Sequence, residues 1–246
     1  MPDPMLELNG VSKSFGGLRA VTNLSFTVAR GMIMGLIGPN GAGKTTVFNL
    51  IAGFLQPTNG RILLVGKDLV GFKPYAITRK GVARTFQIVK PFRQLSVLEN
   101  VTLAAFLRFP TRRHAEAEAS RIIEKVGLSG KNSVLANDLT LVDQKRLEIA
   151  RALGTGPKLL LLDEPMGGLN ATEVDQAARL IKAICADGVT IIWVEHVLRA
   201  IMRTCDRVIV INHGAKIAEG APQDVVQNPD VISAYLGKRA KSYAAD

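Results

Sequence analysis

A chain of 246 residues with 47% hydrophobic and only 5% aromatic content holds enough Val, Ile, Leu and Ala for one large core. The formal charge of +10 is dispersed, with small clusters at Arg112 and Arg113 and across residues 238–241; without a basic tract interleaved with aromatics, direct nucleic-acid binding is not expected. No apolar run approaches the ~18–20 residues that span a bilayer and no basic-then-apolar leader opens the chain, so a soluble, cytosolic protein is expected.

In chain order, residues 6–11 and 24–28 read as short strands with Gly16-Gly17 between them. A strongly apolar strand, 32–37, runs into a glycine-rich turn and a helix over 44–51. Another short strand, 62–65, follows the Asn59-Gly60 turn signal. From about residue 89 to 153 the apolar spacing becomes helical, most clearly over 97–107 and 115–126. Strand and helix then alternate again: a buried strand at 159–162, a helix at 172–186 and a strand at 189–194. Residues 208–211 and 215–218 flank Asn212-His213-Gly214 as a hairpin. The residues from Lys238 onward read as a mobile tail. Cys185 and Cys205 stand in no metal or redox spacing and are read as buried free thiols, while His114 and His213 read as surface residues.

The order predicts an α/β fold: a P-loop core with a mostly parallel sheet, a small antiparallel β layer near the amino terminus and an inserted helical subdomain. One domain over 1–246 is expected, with 1–87 and 154–237 as the nucleotide-binding core, 88–153 as the helical part and 238–246 as tail.

The chemistry sits at the turns. Gly38-Pro39-Asn40-Gly41-Ala42-Gly43-Lys44-Thr45 matches the P-loop pattern in full, between an apolar strand and a helix, and Thr46 follows. Its glycines let successive N–H groups wrap a phosphate, and the helix start adds partial positive charge. Lys44 is placed to reach the β- and γ-phosphates of ATP, and the Thr45 hydroxyl to ligate Mg²⁺. The strand 159–162 ends in Asp163-Glu164 at the carboxyl edge of a parallel sheet. There Asp163 would hold Mg²⁺ and Glu164 would polarise the attacking water. Gln87 and His196, taken alone, read as a turn residue and a strand-end residue.

Taken in order, these elements resemble the ATP-binding subunit of an ABC transporter over nearly the whole chain. The resemblance implies that Phe15 stacks on adenine, that Gln87 serves catalysis and the metal, that His196 assists catalysis, and that Gly167-Gly168-Leu169-Asn170 is the loop after the acidic strand. One element departs from the family. Where Leu-Ser-Gly-Gly-Gln is usual before the helix, this chain has Leu139, Thr140, Leu141, Val142 and Asp143. By the resemblance these face a partner's ATP, with Thr140 keeping a hydroxyl for its γ-phosphate. A β-branched Val142 disfavours positive φ and close backbone approach, and Asp143 suits a helix cap or first-turn acid.

Within the family the likeness is to the branched-chain (hydrophobic) amino-acid uptake subunits, carried by residues 35–49, by Ala83-Arg84-Thr85-Phe86-Gln87 and by residues 146–151. It implies an ATPase that powers import from the cytoplasmic face of the inner membrane, with permease subunits and a second ATP-binding subunit as partners. A paralogue is the preferred second subunit, and a homodimer is the alternative. The rival is a DNA-associated or other soluble ATPase of the same type, but the interval between Lys44 and Asp163 holds no sustained heptad repeat.

Overall fold

The computed structural model describes residues 4–86 and 90–236. Gln87 and the tail from Lys238 therefore lie outside the described residues. Among the described residues the strands form two sheets, one of four strands and one of six.

The smaller sheet is antiparallel, in the order β2-β1-β4-β5, from β1 (Leu6–Phe15), β2 (Leu18–Val28), β4 (Asn59–Leu64) and β5 (Lys67–Asp68). β1 and β2 run longer than their apolar residues suggest, because Gly16 and Gly17 close a two-residue hairpin on the Phe15–Leu18 pair. The ladder there is polar and irregular, with register shifts between Leu8 and Ser14, which hides the strand from a purely hydrophobic reading.

The larger sheet has the order β10-β9-β3-β8-β7-β6. Its parallel members are β3 (Ile33–Ile37), β6 (Val82–Arg84), β7 (Leu159–Asp163), β8 (Thr190–Val194) and β9 (Arg207–Asn212). β10 (Ala215–Gly220) folds back on β9 through His213 and Gly214, both at positive φ (46° and 79°), as a tight two-residue hairpin turn requires.

Alternation along the central strands decides the layers. Leu160, Leu162, Ile191 and Trp193 enter one apolar core, while Leu159, Leu161, Ile192 and Val194 enter the other. The first core packs under the helices that follow β6, and the second lies between the sheet, α1 (Lys44–Ile51) and the antiparallel layer. Both faces are covered, which is why these strands read as unbroken apolar runs.

Between β6 and its sheet neighbour β7 the chain leaves the sheet to form α3 (Val97–Ala105), α4 (Arg112–Lys125) and α5 (Leu141–Gly154). α3 starts with a reciprocal capping box of Ser96 and Glu99. α3 and α5 cross closely at Gly154, where a Cβ would lie 2.9 Å from that of Ala104. Two short elements, α2 (Pro74–Arg79) and β6, fall where no periodic pattern is long enough to announce them. After β7 come α6 (Ala171–Ala186), α7 (Leu198–Thr204), α8 (Pro222–Val226) and α9 (Pro229–Leu236). Cys205 is buried but Cys185 is only half-buried at the α6 rim, its Sγ 3.3 Å from the Gly31 carbonyl; the reading of two buried thiols holds for one. Among the described residues, no helix is long and apolar enough to cross a membrane.

Candidate nucleotide-binding site

Strand order assembles the site. β3, β8 and β7 are parallel neighbours, so the loop after β3, the residues after β8 and the carboxylates ending β7 share one sheet edge. A cleft of about 640 Å³ opens there, lined by Phe15, Gly41, Lys44, Thr45, Glu164 and His196. That size suits a small-molecule ligand.

The P-loop turns through Gly41 and Gly43, at φ 77° and 105°, into the first turn of α1. That turn has no side-chain cap and no acidic residue, so its N–H groups remain available to an anion. Lys44 is buried and donates through Nζ to the carbonyls of Gly38 at 2.7 Å and Pro39 at 3.0 Å. Burial lowers its pKa, and Glu164 and Asp163 partly restore it. The Ala20 carbonyl of β2 wedges against the loop, since a Cβ on Gly43 would lie 2.6 Å from its oxygen and one on Gly214 2.7 Å. Gly214 in turn donates its N–H to Ala42 at 3.0 Å, tying the β9–β10 turn to the P-loop.

Glu164 stands in the left-handed region (φ 48°), a conformation that costs a non-glycine residue of the order of 1–3 kcal/mol and is held by its surroundings. Its N–H donates to Val194 and its carbonyl accepts from Lys145 Nζ. His196 Nε2 lies 2.6 Å from Glu164 Oε1. Buried Glu195 holds the two segments together, accepting from Met166 N–H through Oε1 and from His196 N–H through Oε2, each at 2.8 Å. Phe15 is half-exposed on the cleft wall, with Lys13 Nζ 5.1 Å from its ring centre. His213 is exposed, as read, yet it also lines this cleft.

Thr45 also lines a second cavity, shared with Asp163, Arg84, Phe86, Glu148 and Arg151. A hydroxyl and a carboxylate are hard oxygen donors of the kind Mg²⁺ takes. No cluster of three or more His, Cys, Asp or Glu that could hold a metal occurs among the described residues. Two hard oxygen donors beside a phosphate cradle fit Mg²⁺, which is usually held by one or two protein oxygens together with phosphate and water.

At the signature position, Thr140 is the N-cap of α5. Its Oγ1 donates to Asp143 Oδ2 at 2.9 Å and accepts from the Asp143 N–H at 3.3 Å. Asp143 is also ion-paired with Lys131; although burial opposes it, these contacts hold its carboxyl below the usual range. Val142 lies in the first turn of α5 and is not among the positive-φ residues, so the expected conformational conflict does not arise there. The reason is that the helix starts one residue earlier, at Leu141.

Three further charged residues, Arg84, Glu148 and Glu195, take their roles from tertiary contacts. Arg84 ends a short apolar strand, and its partners come from distant parts of the chain. Buried Glu148 accepts the Phe86 N–H at 2.6 Å, and burial raises its pKa. Arg84 closes a short apolar strand, which is a signal in the sequence, whereas Glu148 lies within α5 and Glu195 just after β8, where a charged residue is ordinary.

Family models settle the kinship. The model described as ABC transporter matches residues 21–167, and the one described as branched-chain amino acid ATP-binding cassette transporter matches residues 215–241. This chain belongs to the ABC transporter family. The high-affinity branched-chain amino acid transport ATP-binding protein BraF of Pseudomonas aeruginosa is 41% identical, over 97% of this chain and 100% of its own length. The corresponding LivG of Escherichia coli is 42% identical over the same shares. Among solved structures, a nucleotide-free ATP-binding cassette from an ABC transporter superposes with TM-score 0.88 at 30% identity, covering 96% of this chain and 100% of that one. The ADP conformation of another such cassette gives 0.87 at 29%, covering 96% and 99%. The cassette thus has the fold and the P-loop of the ATP-hydrolysing subunits of these transporters.

Proposed function

We propose that this cassette hydrolyses ATP with Mg²⁺ to power an importer for branched-chain or other hydrophobic amino acids, bound peripherally to permease subunits at the cytoplasmic face of the inner membrane. The observation that carries the hydrolytic part is the 2.6 Å contact of His196 with Glu164 in the cleft of Lys44 and Thr45. The amino-acid part draws support from relatives whose names specify branched-chain amino acid transport.

On this reading Phe15 supports the adenine ring, the loop of Gly38, Pro39, Asn40, Gly41, Ala42 and Gly43 wraps the phosphates, and Lys44 leaves its carbonyl partners to neutralise them. Thr45 and Asp163 hold Mg²⁺, Thr46 continues the anion-facing helix start, and Gln87 completes the metal and water shell. Mg²⁺ would supply charge neutralisation to the phosphate oxygens. Glu164 accepts the proton of the attacking water, and His196 fixes the Glu164 carboxylate in that direction. Residues 88–153 form the arm that follows nucleotide state, and 1–87 with 154–237 the core. The half-exposed rings of Phe54, Phe86 and Phe92, with Arg151 over the last, offer the permease an amphipathic landing site. The cassette pairs with a second ATP-binding subunit, a paralogue in preference to a second copy, so that Leu139, Thr140, Leu141, Val142 and Asp143 close on the partner's ATP.

The deciding experiment compares wild type with Glu164→Gln for ATP binding and for steady-state phosphate release. Unchanged binding with turnover lowered on the order of 100-fold or more is expected for loss of a general base. A Glu164→Gln protein that turns over ATP normally removes Glu164 from that role.

A further inference from the structure

We propose that Arg84 is the positioning residue of the metal side of this site: it holds Asp163 in place for Mg²⁺ and joins that carboxylate to the segment leading into Gln87. The inference rests on the ATP–Mg²⁺ reading above and adds a residue that reading does not use.

Arg84 is buried, its side chain 6% exposed, and both terminal nitrogens of its guanidinium are engaged. Nη2 donates to Asp163 Oδ2 at 2.7 Å and Nη1 to Asn49 Oδ1 at 2.5 Å. The rings of Phe48, Phe54 and Phe86 surround it, with centres 5.2–5.9 Å from Cζ. Its Nε is buried without a partner. A planar, permanently charged fork suits two divergent acceptors between rings; a lysine cannot serve both.

What Arg84 connects is specific. Asn49 and Phe48 belong to α1, the helix that starts at Lys44 and Thr45, whereas Asp163 ends β7. One guanidinium therefore sets the spacing between the helix that presents the Thr45 hydroxyl and the strand that presents the carboxylate. The next residue adds to the grip, since Thr85 Oγ1 accepts the Asp163 N–H at 3.1 Å. The one after that, Phe86, donates its N–H to Glu148 of α5. Residues 84, 85 and 86 thus tie Asp163, through both its carboxylate and its N–H, to α5, the helix that starts within the signature residues. Arg84 engages one carboxylate oxygen, Oδ2, and the other is left for the metal. Residues that orient a metal ligand in this way commonly change metal affinity on the order of 10–100-fold when lost.

The test is equilibrium binding of a fluorescent ATP analogue to wild type and Arg84→Lys, in EDTA and across a Mg²⁺ titration. In EDTA the two should bind within about 2-fold of each other, because the P-loop is intact. The Mg²⁺ concentration for half-maximal enhancement should rise on the order of tenfold in the variant. Equal Mg²⁺ midpoints would overturn the proposal, as would an equal loss of binding with and without Mg²⁺, which marks a merely structural residue. Should Arg84→Lys fail to fold, Asn49→Leu releases the other arm of the fork: a midpoint raised in the same direction supports the proposal, and an unmoved one refutes it. Wild type that binds no ATP in either condition would instead sink the nucleotide reading itself.

Discussion

Gly43 closes the P-loop at φ 105°, and a Cβ there would stand 2.6 Å from the Ala20 carbonyl oxygen. Gly43→Ala therefore meets two separate penalties. A non-glycine residue in a sparsely allowed left-handed conformation costs about 1–3 kcal/mol. Forcing a methyl against a backbone carbonyl that is itself held in a sheet adds roughly 1–3 kcal/mol more. At about 2–4 °C per kcal/mol for a domain of this size, a combined loss of roughly 4 kcal/mol lowers the melting temperature by roughly 8–16 °C. Gly41 provides the control: it shares the positive φ, at 77°, but a Cβ there meets nothing within 4 Å. Gly41→Ala should cost only the conformational part, about 1–2 kcal/mol or roughly 2–8 °C. Thermal unfolding by circular dichroism, without nucleotide, separates them. Should the two variants melt within about 2 °C of each other, the wedge of Ala20 against the loop is not what makes Gly43 necessary.

Two further outcomes are expected. Burial raises the Glu148 pKa, so the folded state holds that proton more tightly than the unfolded chain. Its stabilising contribution is complete below the ordinary carboxyl range and fades as pH rises through the raised value. Glu148→Gln, which keeps an acceptor for the Phe86 N–H, should gain melting temperature over wild type on going from pH 4 to pH 7, and a constant difference would contradict this. Val142→Gly should cost only about 0.4 kcal/mol of helix propensity, because Val142 already has an ordinary backbone. With the side chain gone it should raise ATP turnover by the assembled transporter, and unchanged turnover would show that the branched side chain does not hinder closure.

The contiguous features were legible in the sequence because their physics is local. A strand, a glycine-rich turn and a helix start lie within residues 33–51, so spacing alone located a phosphate site. A buried strand ending in Asp163-Glu164 and a hairpin at His213-Gly214 were legible for the same reason. The longer β1–β2 hairpin and the short α2 and β6 were not, since polar ladders and three- to six-residue elements leave no apolar period to detect. Tertiary structure alone decided which of these features meet. The order β3-β8-β7 brings His196 to Glu164, and that order is set by burial on both faces of the sheet, to which residues far apart in the chain contribute. The same distance in sequence concealed the Arg84–Asp163–Asn49 junction, the Glu195 clamp and the Ala20 wedge. Each couples segments that have no local reason to know of one another until packing places them side by side.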